Sequence, residues 1–205
     1  MKNKIRILHF PISNNKGGIT SYVMTNWKYI DRTRFHFDFA TMSRKIDYSN
    51  EIEPYSRIYY IDCYHEDDSK AFERQFKKIF SEGNYDIVHL HTTFWKSFEV
   101  ERIARQHGVK VIIHAHTTDV KKSEQPTYEA EKEKHYELRE MLDEQIADAF
   151  FACSRKAADF LYGSRIPGNK VRIMKNAIDL ERFRFSSLLR KETRDDLRLT
   201  EDDIV

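Results

Sequence analysis

Asp86-Ile-Val-His-Leu-His91, the amphipathic stretch from Lys96 to His107, and Val109-Lys-Val-Ile-Ile-His-Ala115 decide the fold. The two outer segments are short, apolar and rich in β-branched residues, while the middle one repeats its apolar residues at helical spacing and stops at Gly108. Strand, crossover helix and strand make up the unit from which parallel sheets are built. The same alternation continues in both directions. Strands are expected at Ile5 to Phe10, Phe35 to Thr41, Arg57 to Ile61, Asp86 to Leu90, Val109 to Ala115, Ala149 to Cys153 and Val171 to Met174. Helices are expected at Gly18 to Ile30, Ser69 to Phe80, Lys96 to His107, Thr127 to Ile146 and Arg155 to Tyr162, with Ser154 capping the last and Gly163 ending it. The expected fold class is α/β, a Rossmann-like parallel sheet of about seven strands flanked by helices on both faces. Residues 1–185 read as this domain. Residues 186–205 read as a linker and the opening of a second domain, because Leu197-Arg-Leu-Thr-Glu-Asp-Asp-Ile-Val205 resembles a helix end, a polar turn and the start of an apolar strand.

A length of 205 residues suits one large α/β domain, and 40% hydrophobic with 33% charged residues describes a soluble globular chain. Arg6 and His9 interrupt the first apolar run, which therefore reads as a strand and not as a signal peptide. No run approaches the roughly 20 apolar residues of a membrane-crossing helix, so a cytoplasmic protein is expected, with any membrane contact peripheral. Cys63 and Cys153 form no CxxC pair and read as packed thiols. A net charge of +2 gives no support to nucleic-acid binding. The charge is nonetheless segregated: Glu124 to Asp148 carries nine acids and three bases, and Ser154 to Lys175 carries six bases and one acid. The second stretch fits an anionic partner or a basic solvated face.

Four segments are candidates for chemistry, of which the fourth, Ala152-Cys-Ser-Arg-Lys156 with the later Arg172 to Phe183, is adequately explained as a strand entering a helix and a turn after a buried strand. Asn14-Asn-Lys-Gly-Gly-Ile-Thr20 follows the first strand and opens a helix, where adjacent glycines and the N–H groups of the first turn favour an anion; a structural tight turn is the alternative. It has neither the full G-x-G-x-x-G of a dinucleotide site nor the G-K-[ST] of a P-loop. The second and third segments are His89-Leu-His91 and His114-Ala-His116-Thr-Thr-Asp119. Residues i and i+2 of a strand share a face, and ligands of parallel α/β sheets gather at the carboxyl ends of strands, so one cleft should collect all four imidazoles. They read as a metal cluster completed by Asp119, as hydrogen-bond donors towards an anionic substrate, or as satisfied strand-end histidines. Asn176 and Asp179 read as turn and cap residues. Phe94, Trp95 and Tyr128 read as exposed aromatics for an acceptor groove, a membrane-facing patch or a domain contact, with core packing as the alternative.

In order along the chain, Lys16-Gly17-Gly18-Ile19, DIVHLH from Asp86 to His91, IIHAHTTD from Ile112 to Asp119, FFACS ending at Ser154, and MKNAIDLERF ending at Phe183 resemble glycosyltransferase family 4, in particular its bacterial polysaccharide-assembly members. Ala177 stands where that family's turn carries glycine. The resemblance implies the N-terminal, acceptor-side domain of a retaining GT-B enzyme. Such an enzyme transfers a sugar from a nucleotide diphosphate sugar to a saccharide or lipid-linked acceptor, with no metal and no cofactor beyond the donor substrate. It implies His116 as the catalytic residue facing the donor sugar, with Lys16, Gly17, Gly18, His91 and Thr117 near the diphosphate or the acceptor. The family's donor-gripping Arg, Lys and glutamate pair belong to a second domain, whose absence would leave this chain inactive alone. Glu129 and Glu137 have the spacing of that pair by chance. Rival readings are a metal-dependent hydrolase built on His89, His91, His114, His116 and Asp119, and a non-catalytic flavodoxin-like binding module.

Overall fold

The computed structural model describes residues 4–14, 17–119, 127–200 and 202–204. Seven parallel strands form one sheet: β1 (Ile5–Phe10), β2 (Phe35–Thr41), β3 (Ile58–Tyr60), β4 (Ile87–Thr92), β5 (Lys110–Ala115), β6 (Ala149–Ala152) and β7 (Val171–Ile173). Their order is β3-β2-β1-β4-β5-β6-β7, so the direction of winding reverses between β1 and β4. That reversal opens a crevice at the carboxyl ends of these two strands, where doubly wound sheets bind ligands.

The period-two alternation sends each strand's residues to two different layers. Leu8, Phe10, Val88, Leu90, Val111, Ile113, Ala115, Phe150 and Ala152 face the larger core. It is closed by apolar side chains of α3 (Ser69–Gly83), α4 (Glu99–Gln106) and α6 (Arg155–Tyr162). Phe37 and Phe39 turn to the opposite face and pack with Val23, Met24 and Trp27 of α1 (Gly18–Tyr29) and with Ile52 of the short α2 (Ser49–Ile52). The helices therefore lie on both faces, as expected. The chain also forms α5 (Tyr128–Glu140) and α7 (Ser187–Asp196).

Side-chain caps set several helix starts: Asp68 accepts from Ala71 N–H, Ser154 from Ala157 N–H and Ser186 from Leu189 N–H. Gly108 and Gly163 adopt positive φ beyond the ends of α4 and α6, which their lack of Cβ permits. Asp179 caps the 3-10 turn Leu180–Phe183 and pairs with Lys28 at 3.0 Å.

Two expected helices are shorter than their patterns. α4 begins at Glu99 instead of Lys96, and α5 ends at Glu140, short of Ile146. Beyond α5, Leu142 drops into the core and Gln145 N–H bonds the Asp143 carboxylate, which breaks the helical ladder. Trp95 is also not exposed: it is 1% accessible, and its indole N–H donates to the Leu161 carbonyl at 2.8 Å. It is a core residue joining the β4–α4 loop to α6, whereas Phe94 and Tyr128 are half-buried. Cys63 and Cys153 are half-buried and pack against the larger core. Among the described residues, no helix is long and apolar enough to cross a membrane.

Candidate functional site

The sheet register assembles five imidazoles on one face. Because β1 lies beside β4, His9 stands opposite His89; because β4 lies beside β5, His91 stands opposite His114. His116 follows two residues beyond His114, just past the end of β5. Successive rings stack or tilt against one another, with His89 to His91 at 4.4 Å and His114 to His116 at 4.1 Å between centroids. Tyr22 of α1 meets His91, His114 and His116 edge-on. Imidazoles thus occupy a layer that aliphatic side chains fill elsewhere in such sheets.

Burial dictates that these rings are neutral near pH 7. Desolvation lowers His9 to about 3 and His116 to about 4, and it holds His89, His91 and His114 well below the ordinary 6.5. Repulsion from neighbouring imidazoles is the second cause for His9, His89, His91 and His114. Neutral rings can share protons. His9 Nδ1 and His91 Nε2 are 3.0 Å apart, His91 Nδ1 and His116 Nε2 are 3.0 Å apart, and His89 Nε2 and His114 Nδ1 are 3.3 Å apart. The triads His9–His89–His91 and His91–His114–His116 each bring three ring nitrogens within 4.8 Å of one another, a donor set that suits a transition ion. Asp119 joins neither triad among the described residues, so the expected carboxylate ligand is not part of the cluster.

His116 is braced through its backbone and is the cluster's outermost member. Its N–H donates to the Thr92 carbonyl at 3.2 Å, and Cys153 Sγ approaches its carbonyl at 3.6 Å. The Thr117 hydroxyl donates to the Thr93 carbonyl at 2.7 Å, which ties the β5 loop to the β4 loop and leaves that oxygen only lone pairs for a ligand.

Gly17 caps α1 with φ −67°, a conformation open to any residue, and a Cβ placed on Gly18 would meet no atom within 4 Å. Neither backbone strain nor packing explains glycine at position 18. The first N–H groups of a helix lack intrahelical acceptors, so a helix start is chemically able to receive an anion. Lys16 lies outside the described residues. Glu129 and Glu137 are exposed on α5.

Two members of the site escaped the sequence reading, His9 and Tyr22. A single histidine near the end of a strand carries no signal until the strand order sets β1 against β4.

On the opposite face of the crevice, Phe10, Pro11, Tyr64, Phe94, Trp95 and Glu101 line a cavity of about 190 Å³ that also reaches His91. Glu101 is buried on α4, and desolvation raises its carboxyl from 4.5 to about 7. A carboxyl that stays neutral in the fold but ionises in the unfolded chain makes stability fall as pH rises from 4.5 to 7. Glu101→Gln is therefore expected to be more stable than the parent at pH 8, by up to about 3 kcal/mol, with the difference vanishing near pH 4.5. Urea unfolding at the two pH values measures this, and equal stability at pH 8 would show that water reaches the carboxylate.

Comparison with known proteins places this geometry in context. A family model described as Glycosyltransferase Family 4 matches residues 16–182. EpsF of Bacillus subtilis (strain 168), named as a glycosyltransferase, is 30% identical over 183 residues, covering 87% of this chain and 46% of EpsF. Among solved structures, a glycosyltransferase from Rickettsia africae ESF-5 superimposes with a TM-score of 0.68 at 11% identity, over 98% of this chain and 51% of that one. Anabaena HepE in complex with UDP-glucose gives 0.66 at 12% identity, over 94% and 50%. At such identities the structural matches show the fold alone. The chain spans about half the length of the relatives it matches.

Proposed function

The chain belongs to glycosyltransferase family 4, and on that premise we propose that it is the acceptor-side half of a retaining GT-B enzyme of cell-surface polysaccharide synthesis. The enzyme transfers a sugar from a nucleotide diphosphate sugar to a saccharide or a lipid-linked acceptor. The observation that carries this reading is the histidine face. It ends in the half-buried His116 just past the carboxyl end of β5, where the Tyr22 ring of α1 meets it edge-on.

As the sugar–phosphate bond breaks, negative charge grows on the departing diphosphate. Preorganised N–H groups aimed at such charge are the strongest single means of lowering a barrier. The first turn of α1 and a ring N–H of His116 are such groups, and a neutral imidazole donates without attracting a permanent counter-ion. HepE, which shares the fold, is solved with UDP-glucose, and this supports a nucleotide sugar as the donor class. The largely apolar cavity beside Glu101 suits the acceptor. A lipid-linked acceptor would bring the protein to the cytoplasmic face of a membrane by peripheral contact, towards which the basic stretch from Ser154 to Lys175 is suited. The chain by itself is expected to be inactive, because most contacts to the donor would come from the second half of such an enzyme.

The test uses a two-domain protein in which this chain precedes a donor-binding half, assayed for slow donor hydrolysis and for transfer across a panel of nucleotide sugars. His116→Ala is expected to lower kcat by about 10² to 10³ without lowering Tm. Undiminished turnover in His116→Ala would overturn the reading. Metal-dependent hydrolysis by this chain alone would replace it with the hydrolase.

A further inference from the structure

The three-imidazole chain His9–His91–His116 has a direction, and we infer that its buried end, His9, sets the tautomer in which His116 meets its ligand. A neutral imidazole carries one N–H and one lone pair. Two hydrogen bonds in series, His9 Nδ1 to His91 Nε2 and His91 Nδ1 to His116 Nε2, therefore admit two proton arrangements. In the outward one, His9 donates to His91 and His91 donates to His116, which leaves an N–H on His116 Nδ1. In the inward one, His116 donates to His91 and His91 donates to His9, so His116 Nδ1 is a bare lone pair and His9 Nε2 bears the last proton.

The buried end decides between them. His9 is 3% accessible, and its Nε2 has no hydrogen-bond partner. Its nearest aromatic neighbour is Phe37, 4.3 Å away between centroids. The inward arrangement strands an N–H there, whereas the outward one strands only a lone pair. Orphaned buried N–H groups are rarer than under-satisfied acceptors. His114 repeats the logic: its Nε2 is buried and unpartnered while its Nδ1 faces His89, so its proton also belongs on Nδ1.

The outward direction makes His116 a donor while it remains uncharged. A phosphate oxygen accepts hydrogen bonds and offers none near neutral pH, so only this tautomer is complementary to a departing diphosphate. That consequence rests on the proposed function, whereas the tautomer itself does not. His9 and His91 act as positioning residues, holding His116 in the donating form from inside the sheet.

Long-range proton–nitrogen NMR correlation on histidine-labelled protein reads the protonated nitrogen of each ring without any ligand. The expected result is protonation at Nδ1 in His9, His91 and His116, unchanged by a chelator. Protonation of His116 at Nε2 in the unaltered protein overturns the inference. So does a tightly held Zn²⁺ or Co²⁺ on His91, His114 and His116, because an ion would take the nitrogens that the shared protons occupy.

Variants add a second readout. In His9→Asn the amide nitrogen stands where Nδ1 stood and keeps the direction. In His9→Asp the carboxylate accepts from His91, reverses the chain and moves the His116 proton to Nε2. In the two-domain protein, His9→Asp is expected to lower kcat by about 10²-fold and His9→Asn by no more than about twofold. Equal loss in both variants, with the His116 tautomer unmoved, would reduce His9 to packing and overturn the inference. The outward tautomer together with no donor binding would sustain it and remove the transferase reading instead.

Discussion

On acidification from pH 7 the domain is expected to unfold cooperatively between about pH 6 and pH 4.5, far above the range in which most α/β domains fail, and to take up about five protons as it does so. The cause is the histidine layer. His9, His89, His91, His114 and His116 stay neutral in the fold, while the same side chains in the unfolded chain titrate at the ordinary 6.5. Below that pH the unfolded chain binds protons that the folded one does not, so stability is complete above 6.5 and is lost as pH falls. The loss continues down to each folded value, which is about 3 for His9 and about 4 for His116. Each such group removes about 1.4 kcal/mol per pH unit, and five together remove about 7, against a total stability of about 5 to 15 kcal/mol. His135, lowered to about 4 by burial, acts in the same direction. Glu101 acts in the opposite direction, since acid favours its buried neutral form. Circular dichroism against pH, with proton uptake from calorimetry in buffers of different ionisation enthalpy, measures both quantities. A midpoint below pH 4 with uptake near zero would mean that the folded cluster already carries protons.

The second large effect belongs to Asp38, whose carboxylate is fully buried on the face opposite the histidines. Its Oδ2 accepts from Arg6 Nη2 at 2.8 Å and from the Tyr85 hydroxyl at 2.9 Å, while its Oδ1 meets His36 Nε2 at 2.9 Å and the Arg57 N–H at 2.7 Å. One side chain thereby joins β1, β2, the entry to β3 and the entry to β4. Asp38→Ala removes the shared acceptor and leaves the Tyr85 hydroxyl with only its contact to Tyr59. The expected loss is about 3 to 5 kcal/mol of unfolding free energy, the range for breaking a buried charged network. Arg6 is one-third exposed and can turn to water, which places the expectation towards the lower bound. Asp38→Asn should lose less, because its amide oxygen still accepts. Urea denaturation gives both values, and a loss under about 1 kcal/mol for the alanine variant would show that water replaces the carboxylate.

The sheet was legible because its strands announce themselves twice, as β-branched apolar runs and as partners separated by amphipathic helices. All seven expected strands are present, with ends moved by a residue or two. The His-x-His pairs were legible for the same reason, since the period of two fixes which residues share a face. Pairing between strands was not legible. His9 and His91 are 82 positions apart and meet because β1 inserts beside β4, a fact of topology that no local pattern records. Trp95 misled because it follows a strand in a polar neighbourhood, yet the loop turns inward and α6 supplies the carbonyl that its indole N–H requires. The end of α5 was lost to competition, where the apolar spacing through Leu142 continues but the Asp143 turn captures the backbone first. At Gly18 the φ is not positive and no atom stands within 4 Å of where a Cβ would lie, so the choice of glycine there is not legible from the local backbone.

The most direct test of the central claim, that the histidine face looks onto the donor of a glycosyl transfer, is NMR titration of this chain with a panel of nucleotide diphosphate sugars at millimolar concentration. The account predicts that at least one of them shifts the His116 ring nitrogens and the Gly17 and Gly18 amides together, while His65 and His107, which lie outside the cluster, stay still. Shifts confined to other surfaces, or none with any donor while Zn²⁺ saturates the histidines, would contradict it.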